Sequence, residues 1–367
     1  MNIQKKVYKF FWNHPECCIN LRTKRFLKNR MHEKDPNKKP FIEDFEENCK
    51  ASLTEEEWKD KALVSELKKD CVKCFLLYEI TPDEYFMHDF RHKSEEYRRS
   101  ILSRWRKSHI CWYGMGEDAK KYSNQLNDKW EFYTLAKPYF KRDVYKVEKA
   151  EYDNLVKFCE EHPRFVAKPR NSSCGIGVHI VDVSKFAGGA QEIVNHYLSL
   201  EKEQWLFEEL IEQDPRMAAW HPSSVNTIRI PSVMTKNGPV VILPLFRTGK
   251  NGNVVDNCHN DGGLMAVPDV KTGVLLTDGY DVFTNVVEIH PNSGMKFKGW
   301  QVPEWDSLIK TAAELHKSLP PQHKYVGFDF ALTPNGWVVI EGNWGNFPHQ
   351  VCVGYGIRDE FERLMKS

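Results

Sequence analysis

Nowhere does this 367-residue chain hold the roughly 18 consecutive apolar residues that a membrane-crossing helix needs. Its charged start also lacks the apolar core of a signal peptide. No transmembrane segment is expected, and the expected location is cytoplasmic. Net charge is missing as well. With 52 Lys and Arg against 51 Asp and Glu there is no global field to draw nucleic acid, so no nucleic-acid partner is expected. The basic stretches Lys24 to Arg30 and Arg98 to Lys107 read as solvated helix faces. Internal repeats are absent. Ten cysteines include Cys17-Cys18 and Cys71-Val72-Lys73-Cys74, but no second pair and no His-x-His completes a zinc set. Thiols in a reducing compartment are expected instead.

What is present begins with Val326-Gly327-Phe328-Asp329-Phe330, a Thr333-Pro334-Asn335-Gly336 turn, and the run from Val338 to Asn343. Pro334 presets φ early in a turn and Gly336 tolerates positive φ, so the two β-rich runs are expected to fold back as a hairpin. Pairing about that turn sets Asp329 roughly opposite Glu341. Strand alternation puts Glu341 and Asn343 on one face and Ile340 on the other. Two carboxylates and an amide oxygen then converge. Such a set suits magnesium, which takes few protein oxygens and leaves room for substrate phosphates. A solvated hairpin with a polar wet face is the plainer alternative.

Upstream, Phe165-Val166-Ala167-Lys168-Pro169 reads as a short strand ending in lysine. Asn171-Ser172-Ser173-Cys174-Gly175-Ile176-Gly177 follows, then a β-branched run from Val178 to Val183. Glycines in such a loop let backbone amides approach anionic oxygens, and Lys168 adds a point charge, so phosphate is the natural ligand. Because no Gly-Lys-Ser/Thr closes the loop and β-structure follows it, the helix-opening P-loop is excluded. An ordinary glycine hairpin remains the alternative. Trp205 to Glu212 reads as a strand that leaves into Gln213-Asp214-Pro215, where proline ends regular pairing. Its main chain at Glu209, Leu210 and Ile211 offers a donor and an acceptor to a flat base, and Glu212 an acceptor to ribose. An acidic surface strand fits the same residues.

Taken in order, Asp128-Lys129, Lys168-Pro169, Gly175-Ile176-Gly177, Glu208-Glu209-Leu210-Ile211, Asn226-Thr227-Ile228-Arg229, Asp329 and Glu341-Gly342-Asn343 resemble the ATP-grasp superfamily. The closest likeness is to its sugar-transfer-associated branch in polysaccharide biosynthesis, related to the teichuronopeptide-synthesis type. It runs from about Tyr78 to the C-terminus, with further branch-like stretches at Val255-Asp256-Asn257, Gly262-Gly263 and Gly327-Phe328-Asp329. The resemblance implies an α+β ATP-grasp fold, two lobes gripping ATP between them after a mainly helical N-terminal region. Residues 1–130 would be that region, 131–212 the small lobe with the phosphate hairpin, and 213–367 the large lobe with metal and acceptor sites.

ATP and magnesium are the implied cofactors. By the same resemblance Lys129 and Lys168 bind phosphates, the loop of Ser172, Ser173, Gly175 and Gly177 folds over them, and Glu208, Glu209, Leu210, Ile211 and Glu212 hold adenosine. Asp329, Glu341 and Asn343 ligate magnesium. D-alanine:D-alanine ligases place an arginine two residues before the metal aspartate, where this chain has Gly327. The catalytic role of steadying negative charge then falls to Arg229 or Arg247, beside Lys168. A structural ion pair is the alternative for either arginine. The implied activity is an ATP-dependent carboxylate–amine ligase working through an acyl phosphate. Its substrates would be small-molecule or glycan-linked carboxylates and amines in surface-polysaccharide or cell-envelope polymer synthesis. A kinase acting on a small acceptor and a nucleotide-binding scaffold without catalysis are the alternatives, the intact metal set speaking against the scaffold.

Toward the N-terminus, Val7, Phe10 and Phe11 predict a short amphipathic helix that packs on its own protein or makes peripheral membrane contact. Met31 to Lys50, charged and without periodicity, reads as a loop. Thr54 with Glu57 announces a capped helix running toward Tyr78. Pro82 opens another, with the polar-aromatic stretch from Glu84 to Lys107 behind it. Asn257 to Gly263, and His290-Pro291 with Lys296 to Gly299, read as acceptor-side loops. His259, His290 and His349 are candidate bases or ordinary hydrogen-bonding residues, and Trp344 and Phe347 are pocket walls or packing. Nothing in the chain sets an oligomeric state.

Overall fold

Phe41, Phe45 and Cys49 recur every fourth residue and are all buried, which makes one apolar stripe of helix α1 (Phe41–Ser52). Burying a phenylalanine stabilises by roughly 1.5–3 kcal/mol. That burial corrects the loop expected through Lys50. The computed structural model describes residues 40–172, 175–200, 204–253 and 262–367, and the helix expected at Val7 to Phe11 lies outside them. Ser173, Cys174, Val255-Asp256-Asn257 and His259 also lie outside the described residues.

The chain divides into one unit of Met1–Ile110 with Asn346–Glu362 and another of Cys111–Gly345 with Arg363–Ser367. The first is helical. Thr54 and Glu57 form the capping box, but it opens only the five-residue α2 (Glu55–Lys59). Asp60 then accepts from the amides of Ala62 and Leu63 and starts α3 (Lys61–Tyr78). Pro82 heads α4 (Pro82–Met87). The stretch behind it is broken, because Asp89 turns left-handed at φ +49° and Ser94 caps a separate helix, Glu95–Ser100. Cys71 and Cys74 lie one turn apart on α3 as buried free thiols. Burial pushes Cys74 up to about 12 and Cys71 well above its usual value.

The second unit holds two antiparallel sheets. The smaller has the order β1-β4-β2-β3, from β1 (Val144–Lys146), β2 (Arg164–Pro169), β3 (His179–Asp182) and β4 (Trp205–Glu209). Phe165, Ala167 and Phe207 from one of its faces share a core with Phe158 of α6 (Tyr152–Glu161) and Ile193 of α7 (Gly189–Ser199). An earlier helix, α5 (Lys129–Phe140), packs with the larger sheet.

That larger sheet contains β5 (Thr227–Thr235), β6 (Gly238–Val241), β7 (Leu245–Gly249), β8 (Gly263–Ala266), β9 (Gly279–Tyr280), β10 (Val286–Val287), β11 (Tyr325–Thr333) and β12 (Gly336–Asn343). Its path is β10-β9-β8-β7-β5-β11-β12, with β6 alongside β5. Ile228, Ile230, Phe328 and Phe330 bury a continuous apolar face against Leu308, Ala312 and Leu315 of α8 (Trp305–Ser318). Charged side chains of β5 and β11 are thereby left to the opposite face. Among the described residues no helix is long and apolar enough to cross a membrane.

Candidate nucleotide and metal site

The β11–β12 hairpin turns between Thr333 and Gly336, whose φ of +92° calls for glycine. Regular pairing carried inward from that turn would set Asp329 against Ile340. A register shift between Asp329 and Phe330 instead leaves Ile340 as the extra residue of a β-bulge and brings Glu341 opposite Asp329. Gly342, between the two outward-facing ligand candidates, turns to α5, where a Cβ would stand 2.3 Å from the Phe132 ring. Gly327 lets the chain after β12 come close, since a Cβ there would stand 3.3 Å from the Gly345 nitrogen.

Two guanidiniums grip the Asp329 carboxylate, which is 2% exposed. Arg229, its cross-strand partner on β5, donates from Nε and Nη2, both at 2.7 Å. Arg247 Nη2 lies 2.9 Å from the same carboxylate, and its Nε and Nη2 donate to Thr227 Oγ1 at 3.0 and 2.9 Å. Burial works to raise Asp329, but Arg229 and then Arg247 outweigh it and hold the carboxyl well below its usual range.

Glu341 is shifted the other way, raised first by the surrounding protein and then by the charge of Asp329, with which it shares a hydrogen bond. Its side chain nonetheless keeps 40% exposure. Asn343 Nδ2 donates to Glu341 Oε1 at 3.0 Å, while Asn343 Oδ1 is buried without a hydrogen-bond partner. Leaving a buried acceptor unmet costs about 1–3 kcal/mol, and a cation would remove that cost. Three hard oxygen donors, one of them unmet, fit Mg2+. Arg229 and Arg247 are the cations that compete for the same aspartate.

On the smaller sheet, Lys168 pairs in register with Leu206, two residues before Glu208, so Lys168 and Glu208 share a face. Their side chains form an ion pair, and Arg142 Nε donates to Glu208 Oε1 at 2.6 Å. Burial works to raise Glu208, but Arg142 and then Lys168 bring it down to about 2. Of the residues read as an adenosine hinge, Glu208 therefore sits in a buried triad with Lys168. Glu209 turns elsewhere, accepting from the Asp143 amide at 3.2 Å. Leu210 and Ile211 follow β4 outside the sheet, and Glu212 is exposed.

Asp128 caps α5 by accepting from the amides of Trp130 and Glu131 at 3.0 and 3.2 Å, and Arg170 Nε donates to it at 2.7 Å. Lys129, the first residue of α5, donates from Nζ to the Ser172 carbonyl and lies 3.3 Å from Ser172 Oγ. Burial lowers Lys129; Glu341 opposes this most, and Lys168 adds to it. Lys129 thus feels charges from both sheets. In the loop beyond, Gly175 and Gly177 take φ of +72° and +78°, and a Cβ on Gly177 would stand 2.6 Å from Pro169.

His290 is fully buried, its Nε2 bonded to the Gly249 carbonyl at 2.8 Å and its Nδ1 accepting from the amides of Asn292 and Ser293. It holds a loop. His349 is buried in the first unit. Sequence reasoning passed over Arg142; its only local signal is a charged residue between the end of α5 and β1.

No curated protein matches this chain. Among solved structures, the ATP-grasp ligase PsnB complexed with a phosphomimetic variant of its minimal precursor, Mg and ADP is 11% identical, with a TM-score of 0.40 over 72% of this chain and 68% of that one. D-alanyl-alanine synthetase A from Vibrio cholerae is also 11% identical, with a TM-score of 0.38 over 66% and 65%. N5-carboxyaminoimidazole synthase from Aspergillus clavatus, in complex with ADP and 5-aminoimidazole ribonucleotide, is 9% identical, with a TM-score of 0.37 over 66% and 51%. In PsnB complexed with its minimal precursor, the matched part is 60% of that chain. These likenesses are distant. The sugar-transfer associated ATP-grasp model, by contrast, matches residues 119–366, most of the chain. The chain therefore belongs to the sugar-transfer associated ATP-grasp family.

Proposed function

We propose that this chain is an ATP-dependent ligase that joins a carboxylate to an amine and releases ADP and phosphate. The reading rests chiefly on the grouping of Asp329, Glu341 and the unmet Asn343 oxygen beside Arg229 and Arg247. Asp329, Glu341 and Asn343 would hold Mg2+, which when bound neutralises phosphate oxygens. Lys129 and Lys168 bind the phosphates in this scheme, the loop from Ser172 to Gly177 covers them, Glu208 anchors Lys168, and the main chain of residues 209–212 holds adenosine between lobes 131–212 and 213–367.

A substrate carboxylate oxygen attacks the terminal phosphorus, and the bond to the oxygen bridging toward ADP breaks. ADP leaves with that electron pair. The amine nitrogen then attacks the acyl carbon, the carbon–oxygen bond to phosphate breaks, and the nitrogen gives up a proton. Arg229 and Arg247 steady the negative charge that builds during both steps. Acyl phosphates hydrolyse, so loop closure also serves to keep water out. The family's association with sugar transfer supports substrates linked to a surface polysaccharide or envelope polymer.

The test is incubation with ATP, Mg2+, pooled carboxylates and hydroxylamine. Hydroxamate together with ADP and free phosphate is the expected result. AMP with pyrophosphate overturns the acyl phosphate; ADP with a phosphorylated acceptor and no hydroxamate makes the protein a kinase; nucleotide binding without turnover leaves a scaffold.

A further inference from the structure

Arg142 has no part in the scheme above, yet it is among the most thoroughly engaged cations in the second unit. It follows Lys141, whose φ of +49° ends α5, and directly precedes Asp143 and β1. Its side chain is 5% exposed and lies over the Phe140 ring, 4.7 Å from the centroid. Nε donates to Glu208 Oε1 at 2.6 Å, while the other Glu208 oxygen meets Lys168. Nη1 donates to the carbonyls of Phe140 at 3.0 Å and Val339 at 2.8 Å.

Val339 is the informative partner. It sits on β12, the last strand of its sheet, immediately before the bulged Ile340 and two residues before Glu341. One planar cation therefore runs from the carboxylate that holds Lys168 to the carbonyl at which the metal-side strand changes register. A guanidinium presents donors in a fixed fork that makes such a bridge; an ammonium is a single point.

We propose that Arg142 is a positioning residue that ties the phosphate-side lysine to the metal-side strand, holding the bulge in the register that sets Glu341 opposite Asp329. The proposal rests on the nucleotide and magnesium reading given above. It also accounts for how Lys168 is freed. When the ammonium turns to a phosphate, Glu208 keeps Arg142 as partner, so no buried carboxylate is left alone.

Wild type, Arg142→Lys and Arg142→Gln are compared by binding of a fluorescent trinitrophenyl ATP while Mg2+ is titrated, with urea unfolding followed on each. Wild type binds with Mg2+ dependence, and both variants are expected to need at least about 10-fold more Mg2+ at the midpoint, the usual scale for residues that orient metal ligands. Adding Glu341→Gln to Arg142→Lys should then shift the midpoint by less than the two single shifts combined, because bulge and ligand act as one unit. A folded Arg142→Lys with a wild-type midpoint overturns the proposal, as does full additivity. Loss of cooperative unfolding in both variants also overturns it, by reducing Arg142 to structural support. Wild type that binds no nucleotide at any Mg2+ concentration sinks the underlying site reading, an outcome distinct from the others.

Discussion

In the four-stranded sheet one buried carboxylate, Glu208, faces two cations, Arg142 and Lys168, whereas in the eight-stranded sheet two carboxylates, Asp329 and Glu341, share Arg229 and Arg247. The first cluster drives its only acid down to about 2. The second splits its pair, lowering Asp329 and raising Glu341, and leaves an amide oxygen unmet beside them. A carboxylate already saturated by fixed cations is an anchor. A half-open carboxyl next to an orphan acceptor has room for one more cation, and that asymmetry assigns phosphate to one sheet and metal to the other in the proposed scheme.

The comparison breaks most visibly at Asp329. Asp329→Asn keeps the shape but strands two buried guanidiniums, and we expect a loss of about 3–5 kcal/mol by urea unfolding. A variant as stable as wild type would show that the arginines do not depend on it. Acid titration probes the anchor. Glu208 is depressed in the folded state, so its contribution is complete above its ordinary value of 4.5 and is lost as pH falls through about 2. That amounts to on the order of 3 kcal/mol, and Glu208→Gln should flatten the stability profile across this window.

Glu341→Gln tests the open side. Its exposure and its lack of a tight cation predict a stability change within about 1 kcal/mol. The Mg2+ midpoint should nevertheless rise about 10-fold, equivalent to about 1.4 kcal/mol. The smallest effect belongs to the hairpin tip. Gly336→Ala meets nothing nearer than Lys141 Nζ at 3.8 Å, so backbone strain alone should cost about 1 kcal/mol and leave Mg2+ dependence unchanged.

Much of this was legible in local pattern. Strand alternation and a Pro-Asn-Gly turn suffice to put Glu341 and Asn343 on one side of a hairpin, and the motif order suffices for the family. The bulge was not legible, because a strand read alone shows no reason to skip Ile340, and the guanidinium that meets the adjoining Val339 carbonyl comes from 197 residues away in sequence. Arg229 was singled out as a charge in an apolar strand, but its partner depends on β5 lying beside β11, a pairing across 100 residues. Glu208 was read with its neighbours as a hinge, although alternation alone separates it from Glu209 and turns it toward Lys168. The helices near the N-terminus were misjudged in extent for a simpler reason: Asp60, Asp89 and Ser94 interrupt what composition makes look continuous.

Twelve residues of α5 connect these places mechanically. Lys129 at one end holds the Ser172 loop, Phe132 seats on Gly342 within the first turn, and Phe140 at the far end backs Arg142. The helix spans about 18 Å and carries Pro138 inside its last turn. One helix thus touches the loop read as the phosphate cover, the strand read as carrying metal ligands and the side chain that bridges the two sheets.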